Sequence, residues 1–114
     1  MINILVDEGY AYDFLAILDV KNTKNLKNAY DNWRLCQNVL ESQVGKELHQ
    51  KILSSQEYKN LYSVNQETFD AVEKARYGTI TAKEVDNLNM KRYYCKLDLQ
   101  NKFFPSTKAS ESKT

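Results

Sequence analysis

The sequence predicts an all-α fold, an irregular bundle of four to five helices with a long helix at its C-terminal end. Three observations carry this reading. The 114 residues include three Gly and one Pro, too few turn formers for a β-sandwich or barrel. Leu, Lys, Glu, Ala and Gln, which tolerate helix well, are plentiful. Apolar residues also recur at three- and four-residue spacing over most of the chain. One domain is expected at this length, residues 1–104, followed by a flexible polar tail over 105–114.

Ile2–Val6 is a short apolar run with β character, read as a lone strand or as the start of the first helix. As a strand, its internal partner would be Tyr77–Thr81. From Tyr10 to Val20 the pattern is helical, with Ala11, Phe14, Leu15 and Leu18 as the stripe and Tyr10 and Ile17 at its edge. A second helix spans about Asn25 to Gln43. Its inner face is Leu26, Ala29, Tyr30, Trp33, Cys36, Leu40 and Val44, with Gln37 inside that stripe, and Gly45 interrupts the path. Leu48 and Ile52 then share a face before a break at Ser54–Ser55, where Ser is a natural N-cap. Ser63 with Gln66 reads as a capping box that starts a helix carrying Phe69, Val72 and Ala75 inward, and Gly78 stops it. Thr81 and Glu84 form the next box, and Ile80 is placed to staple to Val85. This last helix runs to Phe104, and Pro105 ends it.

On a wheel of about 100° per residue, Val85, Leu88, Cys95, Leu99 and Phe103 fall on one side of the last helix. Met90, Tyr93, Leu97 and Phe104 fall on the other. Between them runs a polar ridge of Asn89, Arg92, Lys96 and Gln100. A buried, unpaired cation costs several kcal/mol, so the fold must supply partners. Glu73, Asp13 and Gln37 are the candidates, and Arg76 lies on the preceding helix. The ridge is expected to fix helix packing or a partner interface. The alternative is a pocket in which Arg92, Lys96 and Arg76 hold a phosphate or carboxylate, oriented by Asn89 and Gln100.

Other chemistry is weakly signalled. Glu67, Asp70 and Glu73 drift around their helix and read as a solvated face, so no metal site and no cofactor is expected. His49, the sole histidine, reads as a surface residue, because zinc needs further ligands nearby. No Gly-x-Ser-x-Gly turn or Gly-rich phosphate loop occurs. Of the eight tyrosines, several must lie at the surface or an interface, and Tyr93 beside Arg92 could stack a base.

Net charge is +1, but residues 1–73 carry 7 basic and 11 acidic groups and residues 74–114 carry 9 and 4. The basic end makes a nucleic-acid-binding accessory role a second alternative. Cys36 and Cys95 read as reduced core thiols of a cytoplasmic protein, and no apolar run is long enough to span a membrane. The eleven Asn, and thirteen Lys against three Arg, are the usage of an AT-rich genome, as in many phages and low-GC bacteria. The expected function is a small non-enzymatic interaction or regulatory protein, self-associating as a homodimer.

Overall fold

In the computed structural model, which describes residues 5–78 and 80–105, five helices follow one another. They are α1 (Glu8–Thr23), α2 (Ala29–Val44), α3 (Lys46–Leu53), α4 (Gln56–Arg76) and α5 (Ala82–Phe103). The all-α bundle with a long last helix is therefore the fold. α4 and α5 form an antiparallel hairpin, since Lys91 pairs with Glu67 and Lys102 with Glu57. α1 packs on this hairpin and on α2, and α3 bridges α2 to α4. The core they enclose holds Tyr12, Leu15, Ala16, Leu40, Ile52, Tyr58, Leu61 and Leu99. Trp33, Cys36, Cys95 and Phe103 pack against it half-buried.

Local signals set the helix ends. The Asp7 carboxylate accepts from the Tyr10 amide at 2.8 Å and starts α1 two residues earlier than the apolar stripe suggests. The expected break at Ser54–Ser55 is present. Ser55 Oγ accepts from the Tyr58 amide at 3.1 Å and donates to the Ile52 carbonyl at 2.6 Å, joining the end of α3 to the start of α4. Ser55→Ala is expected to lower stability by about 1 kcal/mol, measured as a shift in the urea midpoint. Thr81 caps α5 through the Glu84 amide. Gly78, at φ +70°, follows the end of α4 in the left-handed conformation that glycine adopts freely.

Four expectations need correction. Ser63 and Gln66 start no helix, because α4 runs unbroken from Gln56 past both. Its buried residues are Tyr58, Leu61, Val64, Asn65 and Ala71, while Val72 and Ala75 are exposed. In α1 the buried face is rotated. Tyr12, Asp13, Ala16 and Gly9 join Leu15 and Leu18 inside, and Phe14 is 51% exposed. The cause is that α1 touches three other helices, so no single stripe describes its buried surface. In α2, Leu26, just before the helix, and Tyr30 are exposed, and the helix begins only at Ala29. His49 is not a surface residue; its exposure is 0%.

Residues 2–4 of the proposed strand Ile2–Val6 lie outside the described residues. Leu5 and Val6 are in no helix or strand, and Tyr77 and Gly78 form the turn that ends α4. The proposed tail from Ser106 onward also lies outside the described residues. Among the described residues, no helix is long and apolar enough to cross a membrane.

Candidate functional site

The ridge on α5 is met by α1. Where the two helices cross, α1 carries Gly9, and a Cβ there would stand 2.7 Å from the Lys96 carbonyl oxygen. That proximity lets side chains on α5 reach the first turn of α1, whose amides have no intrahelical acceptor. Gln100, 1% exposed, uses its Oε1 to accept from the Gly9 amide at 2.6 Å. Its Nε2 donates to Glu8 at 2.7 Å. Together with Asp7, Gln100 satisfies successive amides, so α1 is capped from its own chain and from α5.

One helical turn further along, Asp13 is buried at 2% exposure and faces Arg92 side-on. Arg92 Nε donates to both carboxylate oxygens at 3.0 and 3.1 Å, and Nη2 donates to Oδ2 at 2.6 Å. Asn65 of α4 adds a donor at 2.8 Å while also bonding the Leu61 carbonyl. Lys96 Nζ stands 4.0 Å from Asp13 Oδ2 and 5.7 Å from the Tyr10 ring centroid. Asp13 thus faces two cations, Arg92 and Lys96, while Glu8 accepts from Gln100, and the contacts to both carboxylates are charge-assisted. Such a cluster ties α1, α4 and α5 in one register.

The remaining candidates are dispersed. Asn89 is exposed. Arg76 and Glu73 form their own exposed pair at 3.7 Å in the last turns of α4. Asn65, which reaches Asp13, lies eleven residues before Arg76 on that helix, an axial distance of roughly 16 Å. The structure therefore does not gather Arg76 with Arg92 and Lys96. Tyr93 is half-buried and meets Tyr94 edge-on, with ring centroids 5.3 Å apart. The acidic row is occupied by lysines and Arg76: Glu67 pairs with Lys91 and Asp70 with Lys24. No group of three or more metal-ligating side chains occurs among the described residues.

Gln37 does not meet the ridge. It belongs to a second polar line, in which Tyr12 Oη lies 2.8 Å from His49 Nδ1 and His49 Nε2 lies 2.6 Å from Gln37 Oε1. Because Gln37 Oε1 accepts, Nε2 carries the imidazole proton and Nδ1 accepts from the tyrosine. Burial lowers the His49 pKa from its ordinary value, against the opposing influence of the Glu41 carboxylate. Burial likewise pushes the Cys36 thiol up to about 11 and the Tyr12 hydroxyl well above its usual range. Sequence reasoning missed His49 because a lone histidine is read by its neighbours in the chain. The available signal was its i, i+3, i+4 spacing with Ile52 and Leu53.

A third contact, from the Tyr58 hydroxyl to Asp19 at 2.9 Å, joins α4 to α1. Burial raises the Asp19 pKa, and the hydrogen bond from Tyr58 partly offsets this. All three polar links converge on α1, and each spans at least 37 residues of sequence. The chain matches no protein-family model, no curated protein and no solved structure.

Proposed function

We propose that this chain is a small non-enzymatic interaction protein that self-associates through the outward faces of α1 and α2. One observation carries the reading: beside the polar cluster, where Tyr10 also covers Lys96, α1 keeps an apolar face that is open. Phe14 is 51% and Tyr10 45% exposed, with half-buried Ile17 completing an i, i+4, i+7 row. On the neighbouring α2, Leu35 and Val39 are each 46% exposed one turn apart, and only Ala29 and Leu40 of that helix are buried. Aromatic and aliphatic side chains grouped on adjacent helices are the material of association surfaces.

A second copy suits this surface electrostatically. Net charge is only +1, so two copies repel one another weakly. The polar cluster serves this function by fixing the register of α1, which carries the row. A cytoplasmic setting fits the same reading, since Cys36 and Cys95 are both free thiols.

Sedimentation from micromolar to millimolar protein tests the proposal. The native chain is expected to pass from monomer to dimer. Phe14→Glu is expected to weaken the dimer by about 30-fold or more, the scale of a central aromatic anchor, with helicity unchanged. A native chain that stays monomeric across the range would sink the self-association reading.

A further inference from the structure

We propose that the Tyr12–His49–Gln37 line is an acid-sensitive latch, releasing α2 and α3 when the imidazole gains a second proton while α1, α4 and α5 stay together. The geometry is that of a clasp. His49 on α3 and Tyr12 on α1 are each 0% exposed, and Gln37 reaches in from α2. The neutral imidazole matches its partners: one nitrogen accepts from the phenol and the other donates to the amide oxygen. The imidazolium does not. Its Nδ1 becomes a donor, so the Tyr12 hydroxyl must turn to accept, and its own proton then loses the acceptor it had. The charge created is sealed from water.

The groups around the imidazole decide the sign. α1 presents the Tyr12 hydroxyl. α2 presents Glu41, whose carboxylate favours the charged ring, and the Cys36 thiol, which acts on Tyr12. α4 presents Tyr58 against Cys36, with Asp19 of α1 behind it. On α3 itself Lys46, Glu47 and Lys51 are exposed. Burial outweighs Glu41, and the folded pKa lies below the ordinary 6.5. The released form takes its proton first. The latch is therefore fully stable above about pH 7 and loses stability as pH falls through the ordinary value toward the folded one. Asp19, whose pKa is raised, acts in the opposite sense on the α1–α4 contact and strengthens it as pH falls.

Release is confined to α2 and α3 because the other helices have their own ties. Asp13 joins Arg92 and Asn65, Gln100 holds the start of α1, and Tyr58 holds Asp19. α2 packs mainly on α1 and α3.

The chain carries its own reporter. Trp33, the sole tryptophan, sits on α2, and its Nε1 is buried without a hydrogen-bond acceptor among the described residues. On acidification from about pH 7 to about pH 5, Trp33 emission is expected to move red while most far-UV helix signal remains. The His49 ring protons are expected to titrate in step with it by NMR. His49→Gln, which keeps a neutral donor and acceptor, is expected to abolish the shift. Trp33 emission that stays still while His49 titrates overturns the latch. So does an equal shift in His49→Gln, or loss of all helix signal together with the emission change. If His49→Gln does not fold, the native chain decides: coincident His49 and Trp33 titrations support the latch and separate ones refute it.

Discussion

Replacing Asp13 by Ala is expected to destabilise the fold by about 3–5 kcal/mol, the cost of breaking a buried ion pair by removing one partner. A domain of this size has only about 5–15 kcal/mol in total. Asp13 accepts every short contact at the centre of the cluster: both Arg92 nitrogens and Asn65, with Lys96 nearby. Without it, two cations one turn apart on α5 lose the carboxylate they share. Urea unfolding followed by circular dichroism measures the loss. A cost below about 1 kcal/mol would put this cluster in the class of solvated surface pairs.

The reverse deletion is expected to cost less. Arg92 is 28% exposed against 3% for the Asp13 side chain, so the guanidinium has given up less hydration. Arg92→Leu also leaves Asp13 with Asn65 and Lys96. A loss of about 1–3 kcal/mol follows, and the Asp13→Ala, Arg92→Leu double variant should be more stable than Asp13→Ala alone. The coupling term of that cycle, on the order of 2 kcal/mol, is the direct measure of the contact. A ligand pocket would behave differently. Its cations would be held apart and waiting, Arg92→Leu would be near neutral, and phosphate-like anions would raise Tm.

Three helix ends, at Ser55, Gly78 and Thr81, were legible in the sequence, while the start of α2 and the buried face of α1 were not. Ser55, Gly78 and Thr81 act within three residues of themselves, so their chemistry can be read locally. Ser63 shows the limit of that logic. The same Ser-x-x-Gln pattern inside a continuing helix caps nothing, because the amides it would satisfy already have partners one turn back. The phase of α1 depended on packing in three directions. A stripe of apolar residues predicted Phe14 inside, but the closest contact went to Gly9 for its lack of bulk and to Asp13 for its charge. The ridge itself was visible as cations among apolar neighbours, and Asp13 was among the partners it demanded. That Gln37 would serve His49 instead depended on a contact no spacing rule reaches, whereas Glu73 and Arg76 are i, i+3 neighbours on one helix. Nothing between His49 and Tyr12, 37 residues apart, announces that they meet.

Gly9→Ala tests the crossing on which both the cluster and the α1 cap depend, and its sign is informative. In an unobstructed helix this change stabilises by roughly 1 kcal/mol, because glycine loses more backbone freedom on folding. Here the added methyl would lie 2.7 Å from the Lys96 carbonyl, a backbone atom, and 3.3 Å from Gln100 Oε1. The carbonyl belongs to the middle of α5 and cannot rotate away, so the helices must separate by several tenths of an ångström. That movement lengthens the Gly9-to-Gln100 hydrogen bond, now 2.6 Å, and pulls Asp13 from Arg92. A net destabilisation of about 1–3 kcal/mol is expected, the usual cost of overpacking a tight contact. Amide exchange should rise in the first turn of α1, where Gly9 loses its acceptor. A gain in stability would mean that α1 and α5 are not held this close, and the Asp13 cluster would then need a looser geometry than the one described. If Gly9→Ala does cost stability, Gln100→Ala in the same background should cost little more, since the bond it removes is already broken.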